Sequence, residues 1–231
     1  SYEGSASVSN MVAADSSIAT AFKKPVSASL TASGKTDAGN FIVIKAPLHG
    51  TLAFSNRQKG EFTFTPKGDF VGSDSFSFIV LENGVSSNEA NVNITITNSN
   101  PVSASQTFST SWKKSLSATI KASDGDNDEL TFKILTQPAR GTLTLVDIHS
   151  GAFTYLPEGK SLEPVSFTYE VTDGLAKTNP VSAVINVTNS KPVAQASSVN
   201  GSYNASASGI LKATDGDGDS LTYNCLLYTS D

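Results

Sequence analysis

Apolar and polar residues alternate with a period of two along much of this chain. Phe62 and Phe64 alternate with Thr63 and Thr65, and Val92, Ile94 and Ile96 with Asn93, Thr95 and Thr97. Phe167, Tyr169 and Val171 alternate with Thr168, Glu170 and Thr172. Successive side chains of a strand point to opposite faces, so each run reads as a strand with one buried face. β-Branched and aromatic residues carry the runs, and these fit a pleated, half-buried surface. Gly, Pro, Asn and Asp separate the runs every 8–14 residues, where they supply turn conformations. No window between turns sustains a helical period. The pattern predicts an all-β protein built of antiparallel strands.

The pattern also repeats. Pro47-Leu48-His49-Gly50-Thr51-Leu52 returns 91 residues later as Pro138-Ala139-Arg140-Gly141-Thr142-Leu143. Gly60-Glu61-Phe62-Thr63-Phe64-Thr65-Pro66 returns as Gly151-Ala152-Phe153-Thr154-Tyr155-Leu156-Pro157 at the same offset. Pro101-Val102 and Asp124 return as Pro192-Val193 and Asp215. Before residue 33 the first offset is 90, as in Phe22-Lys23-Lys24 against Trp112-Lys113-Lys114. A unit of this length is too long for a solenoid turn and has the size of a small β-sandwich. Seven strands are predicted per unit, in the second near 102–109, 115–122, 129–137, 141–146, 151–156, 165–173 and 179–188. The reading is a segment 1–9, sandwich repeats over 10–98 and 99–189, and an incomplete repeat over 190–231. The links Asn98-Ser99-Asn100-Pro101 and Asn189-Ser190-Lys191-Pro192 are too short for floppy tethers, which predicts modules set end to end. The third repeat stops before its Pro-x-x-Gly-Thr-Leu segment. This predicts either a chain that continues past residue 231 or a foreign stretch from Asn224 through Cys225 to the end.

Composition narrows the function. Charged residues are 16% and the net charge is −5, with no basic run, which excludes nucleic acid as an expected partner. No stretch of ~18 apolar residues occurs, so no membrane span is expected. A single cysteine, Cys225, permits no intrachain disulfide. Catalysis has little support. The two histidines, His49 and His149, are not equivalent in the repeat, and no nucleophile elbow or phosphate loop is present. The chain is therefore read as a non-enzyme. Phe22, Trp112 and Tyr203 share one repeat position, read as packing against a module end rather than as a sugar-stacking platform.

The most specific polar feature is Asp124-Gly125-Asp126-Asn127-Asp128 and its partner Asp215-Gly216-Asp217-Gly218-Asp219. Carboxylates at alternate positions of a Gly-containing loop can converge on a point, where they repel unless a cation neutralises them. Hard oxygen donors in a flexible loop suit Ca²⁺. The loop is not an EF-hand, because its sixth position holds Glu129 or Ser220 rather than Gly. The competing reading is a turn with solvated carboxylates. Glu82 and Asp173 are in register before a Gly-bearing turn. A clamp at the first joint would use Glu82, Asn98, Asn100, Asp124 and Asp126, with Asp128 of the same loop a further candidate ligand. One at the second would use Asp173, Asn189, Asp215 and Asp217, with Asp219 a further candidate ligand. In the first repeat the aligned positions are Ser33, Lys35 and Asp37, where Lys35 places an ammonium in a ligand position.

These segments together resemble the cadherin-like and immunoglobulin-like tandem repeats of large bacterial surface proteins and adhesins. The resemblance rests on Leu211 through Tyr223 with its Asp loop, Pro138-Ala139-Arg140-Gly141-Thr142-Leu143, Phe153-Thr154-Tyr155-Leu156-Pro157, Gly72 through Phe78, and Val171-Thr172-Asp173-Gly174. It implies an exported stalk on a bacterial cell surface, often stiffened by Ca²⁺. The expected function is an extracellular structural or adhesive stalk or filament, with further copies of the chain or neighbouring repeats as partners. The alternatives are a module that binds a glycan or a cell-surface protein, and an accessory region of a larger secreted enzyme.

Overall fold

In a computed structural model, residues 10–224 are described. The segment 1–9 and Cys225 with the residues after it lie outside the described residues. The chain divides into two compact units, Ser1–Asn100 and Pro101–Asp231. The described residues form strands and no helix.

The first repeat holds β1 (Val12–Ala13), β2 (Ser16–Ala21), β3 (Val26–Ser29), β4 (Ala32–Ser33) and β5 (Asn40–Lys45). It continues with β6 (Gly50–Asn56), β7 (Glu61–Pro66), β8 (Gly72–Glu82), β9 (Val85–Ser86) and β10 (Ala90–Thr97). One sheet runs β2-β10-β8-β5 with β9 on β8, and the facing sheet runs β3-β7-β6. The second repeat holds β11 (Gln106–Ser111), β12 (Leu116–Thr119), β13 (Thr131–Thr136), β14 (Thr142–Asp147), β15 (Ala152–Leu156), β16 (Val165–Thr172) and β17 (Val181–Thr188). Its sheets, β11-β17-β16-β13 and β12-β15-β14, repeat the order of the first. The seven strands of repeat 2 lie at the seven sequence-predicted places. The largest difference is at the first, whose ladder begins at Gln106 rather than near Val102.

The alternation decides what is buried. In β10 the pattern is strict: Ala90, Val92, Ile94 and Ile96 are buried, and the residues between them are exposed. Each of the first two repeats has its own core. Phe41, Phe62, Phe64, Phe76 and Phe78 anchor the first, and Phe153, Tyr155, Phe167 and Tyr169 anchor the second. Phe62 meets Phe76 edge-on at 5.3 Å, and their equivalents Phe153 and Phe167 meet at 5.4 Å, a geometry that aromatic quadrupoles favour. Irregularities recur as well. Ladder shifts at Val43/Lys45 and Phe54/Asn56 return at Ile134/Thr136 and Leu145/Asp147. Such bulges re-aim side chains and tend to be kept within a fold.

Among the described residues one pairing is parallel in each of the first two repeats: β2 runs alongside β10, and β11 alongside β17. The other pairings among the described residues are antiparallel. A parallel pair needs a long connection, and here the rest of the sandwich supplies it. The third repeat holds β18 (Val193–Gln195) paired with β19 (Lys212–Thr214). That pair reproduces a contact made in all three repeats: Val12 with Ser33, Val102 with Ser123 and Val193 with Thr214. In this repeat the apolar residues Val193, Tyr203 and Ile210 are exposed.

Candidate metal-binding and junction loops

Both Asp loops follow directly on this recurring contact, which fixes where each begins. Asp124 and Asp215 each fold the chain back over their own carboxylate. Asp124 Oδ1 accepts from the backbone N–H of Asp126 at 2.8 Å and of Asp128 at 3.3 Å. Asp215 Oδ1 accepts from Asp217 at 2.9 Å and Asp219 at 3.1 Å. The turn closes through the carbonyl of the first Asp, which accepts from Asn127 or Gly218. These two residues have φ of 57° and 73°, a region open to Gly and tolerated by Asn.

Beyond the shared turn the loops differ. Asp124, Asp126 and Asp128 each offer a carboxylate oxygen, and the three lie within 4.8 Å of one another. Asp124 Oδ2 is buried and has no hydrogen-bond partner. Among the described residues this is the one such group of three. In the third repeat the later acids turn elsewhere. Ser111 Oγ donates to Asp217 Oδ1 at 2.5 Å, and the Ser190 N–H donates to Asp217 Oδ2. Trp112 Nε1 donates to Asp219 Oδ2 at 2.9 Å, and Lys113 Nζ to Oδ1 at 2.7 Å. The Ser111 hydroxyl and the Ser190 N–H hold the Asp217 carboxyl below the ordinary aspartate range. The Lys113 ammonium and the Trp112 indole do the same for Asp219. These donors favour the ionised form.

The two in-register acids are held by protein donors, Glu82 from the loop after β4 and Asp173 from its own turn. Glu82, buried at 8% exposure, accepts from the Thr36 N–H at 2.9 Å and from the Thr36 hydroxyl. The Thr36 hydroxyl and N–H lower the Glu82 pKa. Asp173, buried at 5% exposure, accepts through Oδ1 from Leu175 N at 2.7 Å and Ala176 N at 2.5 Å. Asn98 donates to the Ser99 carbonyl at 3.0 Å, and Asn100 and Asn189 are exposed. At the second junction it is Ser190, not Asn189, whose backbone reaches the Asp loop.

The first repeat's counterpart is built differently. Ser33 pairs with Val12 as Ser123 does with Val102. Gly34, rather than Ser33, therefore takes the place of Asp124, so the one-residue offset falls later than the sequence alignment put it. Lys35 Nζ reaches the Thr36 carbonyl at 3.1 Å. This loop has no acid at its first position.

The histidines make ring and side-chain contacts within their own repeats. His49 stacks on Phe70 with ring centroids 3.5 Å apart. His149 Nδ1 lies 3.4 Å from Glu129. Of the shared aromatic position, Phe22 is buried at 1% exposure, and Trp112 packs partly buried against the second core. The contact of Trp112 and Lys113 with Asp219 was not read from sequence. Its available signal was the recurrence of an aromatic residue followed by two lysines one repeat before each Asp loop.

Comparison with known proteins agrees with this architecture. Residues 98–189 match the Bacterial cadherin-like domain family, and residues 8–95 match the Bacterial Ig domain family. The chain thus carries tandem domains of bacterial Ig and cadherin-like type. No curated protein matches it. Similar solved structures include an endo-fucoidan hydrolase, MfFcnA4, from glycoside hydrolase family 107, at 18% identity and a TM-score of 0.41. That match covers 78% of this chain and spans 29% of the hydrolase. Human mucin-like protocadherin EC1-2 matches at 10% identity over 78% of this chain and 98% of its own, with a TM-score of 0.34. Drosophila N-cadherin EC1-4 matches at 14% identity over 90% and 60%, with a TM-score of 0.32. Bacterial domains of these two families point to a surface or extracellular protein.

Proposed function

We propose that this chain is a non-catalytic stalk segment of a bacterial surface protein, and that Ca²⁺ stiffens it through the Asp124-Gly125-Asp126-Asn127-Asp128 loop. The observation that carries the metal reading is the convergence of three carboxylates within 4.8 Å, with Asp124 Oδ2 buried and lacking a hydrogen-bond partner. A buried anionic oxygen without a donor is costly, and a hard divalent cation supplies what the protein does not. All three donors are carboxylate oxygens, which fit Ca²⁺ better than a soft transition metal. Asp124, Asp126 and Asp128 would hold the ion. It would fix the loop's conformation, while the backbone N–H donors of Asp126 and Asp128 keep Asp124 oriented.

The short links in the sequence support a spacer role, and Glu82, Asn98 and Asn100 remain proposed ligands on the sequence reading alone. At the second loop Asp173, Asn189 and Asp215 have the same standing, whereas Asp217 and Asp219 are engaged by protein donors. Phe22 is buried and the Trp112 indole nitrogen is taken, which favours a structural role for this aromatic position over glycan stacking.

Calorimetric titration with millimolar Ca²⁺ tests the proposal. Heat uptake or release together with a raised melting temperature is expected, both lost in Asp124→Asn. Saturation at about a hundredfold over Kd would add roughly 2.7 kcal/mol of stability. No heat and no shift would overturn the metal reading.

A further inference from the structure

The two Asp loops share a sequence and a turn but not a set of partners, and the difference lies in the turn that the third-repeat loop meets. We propose that the Ser111-Trp112-Lys113 turn is a receptor for the acidic loop of the following repeat, and that its indole N–H and ammonium close this contact without a divalent ion.

Both oxygens of Asp219 are engaged, one by a neutral ring donor at 2.9 Å and one by an ammonium at 2.7 Å. Asp217 takes two further donors, Ser111 Oγ and the Ser190 backbone. Four donors thus meet two carboxylates, and charge-assisted bonds of this kind are the stronger class. The ammonium is itself held in place, because Lys113 Nζ lies 4.2 Å from the Trp112 ring centre, where the indole face attracts it. The turn is fixed by backbone bonds from Trp112 N to the Thr188 carbonyl at 3.0 Å and from Lys114 N to the Ser111 carbonyl at 2.9 Å. A receptor ordered in advance loses less entropy on engagement. Lys113 then places a positive charge on Asp219, and an ion bound by both Asp217 and Asp219 would have to displace it.

The chemistry is selective for this turn. Phe22, at the same position in repeat 1, has no ring N–H to donate. Tyr203 is followed by Asn204, which carries no ammonium. The lowered pKa values of Asp217 and Asp219 agree with the geometry. The proposal does not rest on Ca²⁺ binding by Asp124, Asp126 and Asp128.

Trp112 is the sole tryptophan, so its fluorescence reads the contact directly. Acrylamide quenching of the full chain is measured in EDTA, for the unaltered protein, Lys113→Gln, Asp219→Asn and the double variant. Each single change should raise the open fraction about tenfold, seen as a larger quenching constant and red-shifted emission. The double variant should be no worse than either single, since coupled partners are non-additive. Unchanged quenching, additive effects, or protection of the unaltered protein only on adding Ca²⁺ would overturn the proposal. Thermal melting of repeat 2 should stay in place in all variants. A downward shift there would assign the exposure of Trp112 to unfolding instead and would also overturn it.

Discussion

At the scale of single residues, the two repeats solve one position in different ways. Thr168 in repeat 2 faces Thr136 across β16 and β13, with hydroxyls 2.8 Å apart, and its N–H donates to the Thr136 oxygen at 3.0 Å. The equivalent pair in repeat 1 is Ser77 and Lys45. Lys45 offers no short hydroxyl, and Ser77 Oγ is buried without a hydrogen-bond partner. A buried polar group left unmade costs more than the bond itself would contribute. Lys45→Thr should therefore raise the stability of repeat 1 by about 1 kcal/mol, and Ser77→Ala should be close to neutral. Chemical denaturation of the two variants checks both. Equal stability of Lys45→Thr and the unaltered protein would show that the bulge at this site does not present position 45 to Ser77.

At the scale of elements, the hairpin glycines show why the sequence motif repeats. Gly60 and Gly151 have φ of 71° and 73°, and a Cβ there would lie 2.9 Å from the Leu30 carbonyl oxygen or 2.8 Å from that of Ile120. Those carbonyls belong to residues whose own N–H groups donate to Gly60 and Gly151 at 3.0 Å, so the close approach is part of the sheet. Gly151→Ala should destabilise repeat 2 by more than about 1 kcal/mol, measured as a lower melting temperature. An unchanged melting temperature would mean that the backbone relaxes freely here. Strands such as β10 and β16 were legible because each buries one face, so their residues are sorted by a period of two. The partner of an edge strand was not legible, because alternation sets which face is buried and not the direction of the neighbour. The parallel placement of β2 and β11 therefore emerged only in three dimensions. For the same reason the acids of the candidate site were legible and their partners were not. Asp217 and Asp219 announce a loop, but nothing local to them names Ser111 or Trp112, over a hundred residues earlier.

At the scale of the whole molecule, the pairing of first and last strands sets how a repeat carries load. The chain enters the second repeat's ladder at Gln106, which pairs with Ala183, and leaves it at Thr188, which pairs with Ser111. Because β11 and β17 are parallel, the two points of entry and exit lie at opposite ends of one six-residue register. Tension drawn through the backbone would then slide the strands past each other and stress the whole ladder at once. Across Ser117 and Thr154, which face each other in an antiparallel pair, the same pull would part the bonds one after another. Force spectroscopy with handles at 106 and 188 should give a clearly higher rupture force than with handles at 117 and 154, a quantity governed by the unfolding rate. Equal forces would place the mechanical barrier outside β11 and β17. Strength against stretching would thus be a property of each module's topology, present even where no ion is bound.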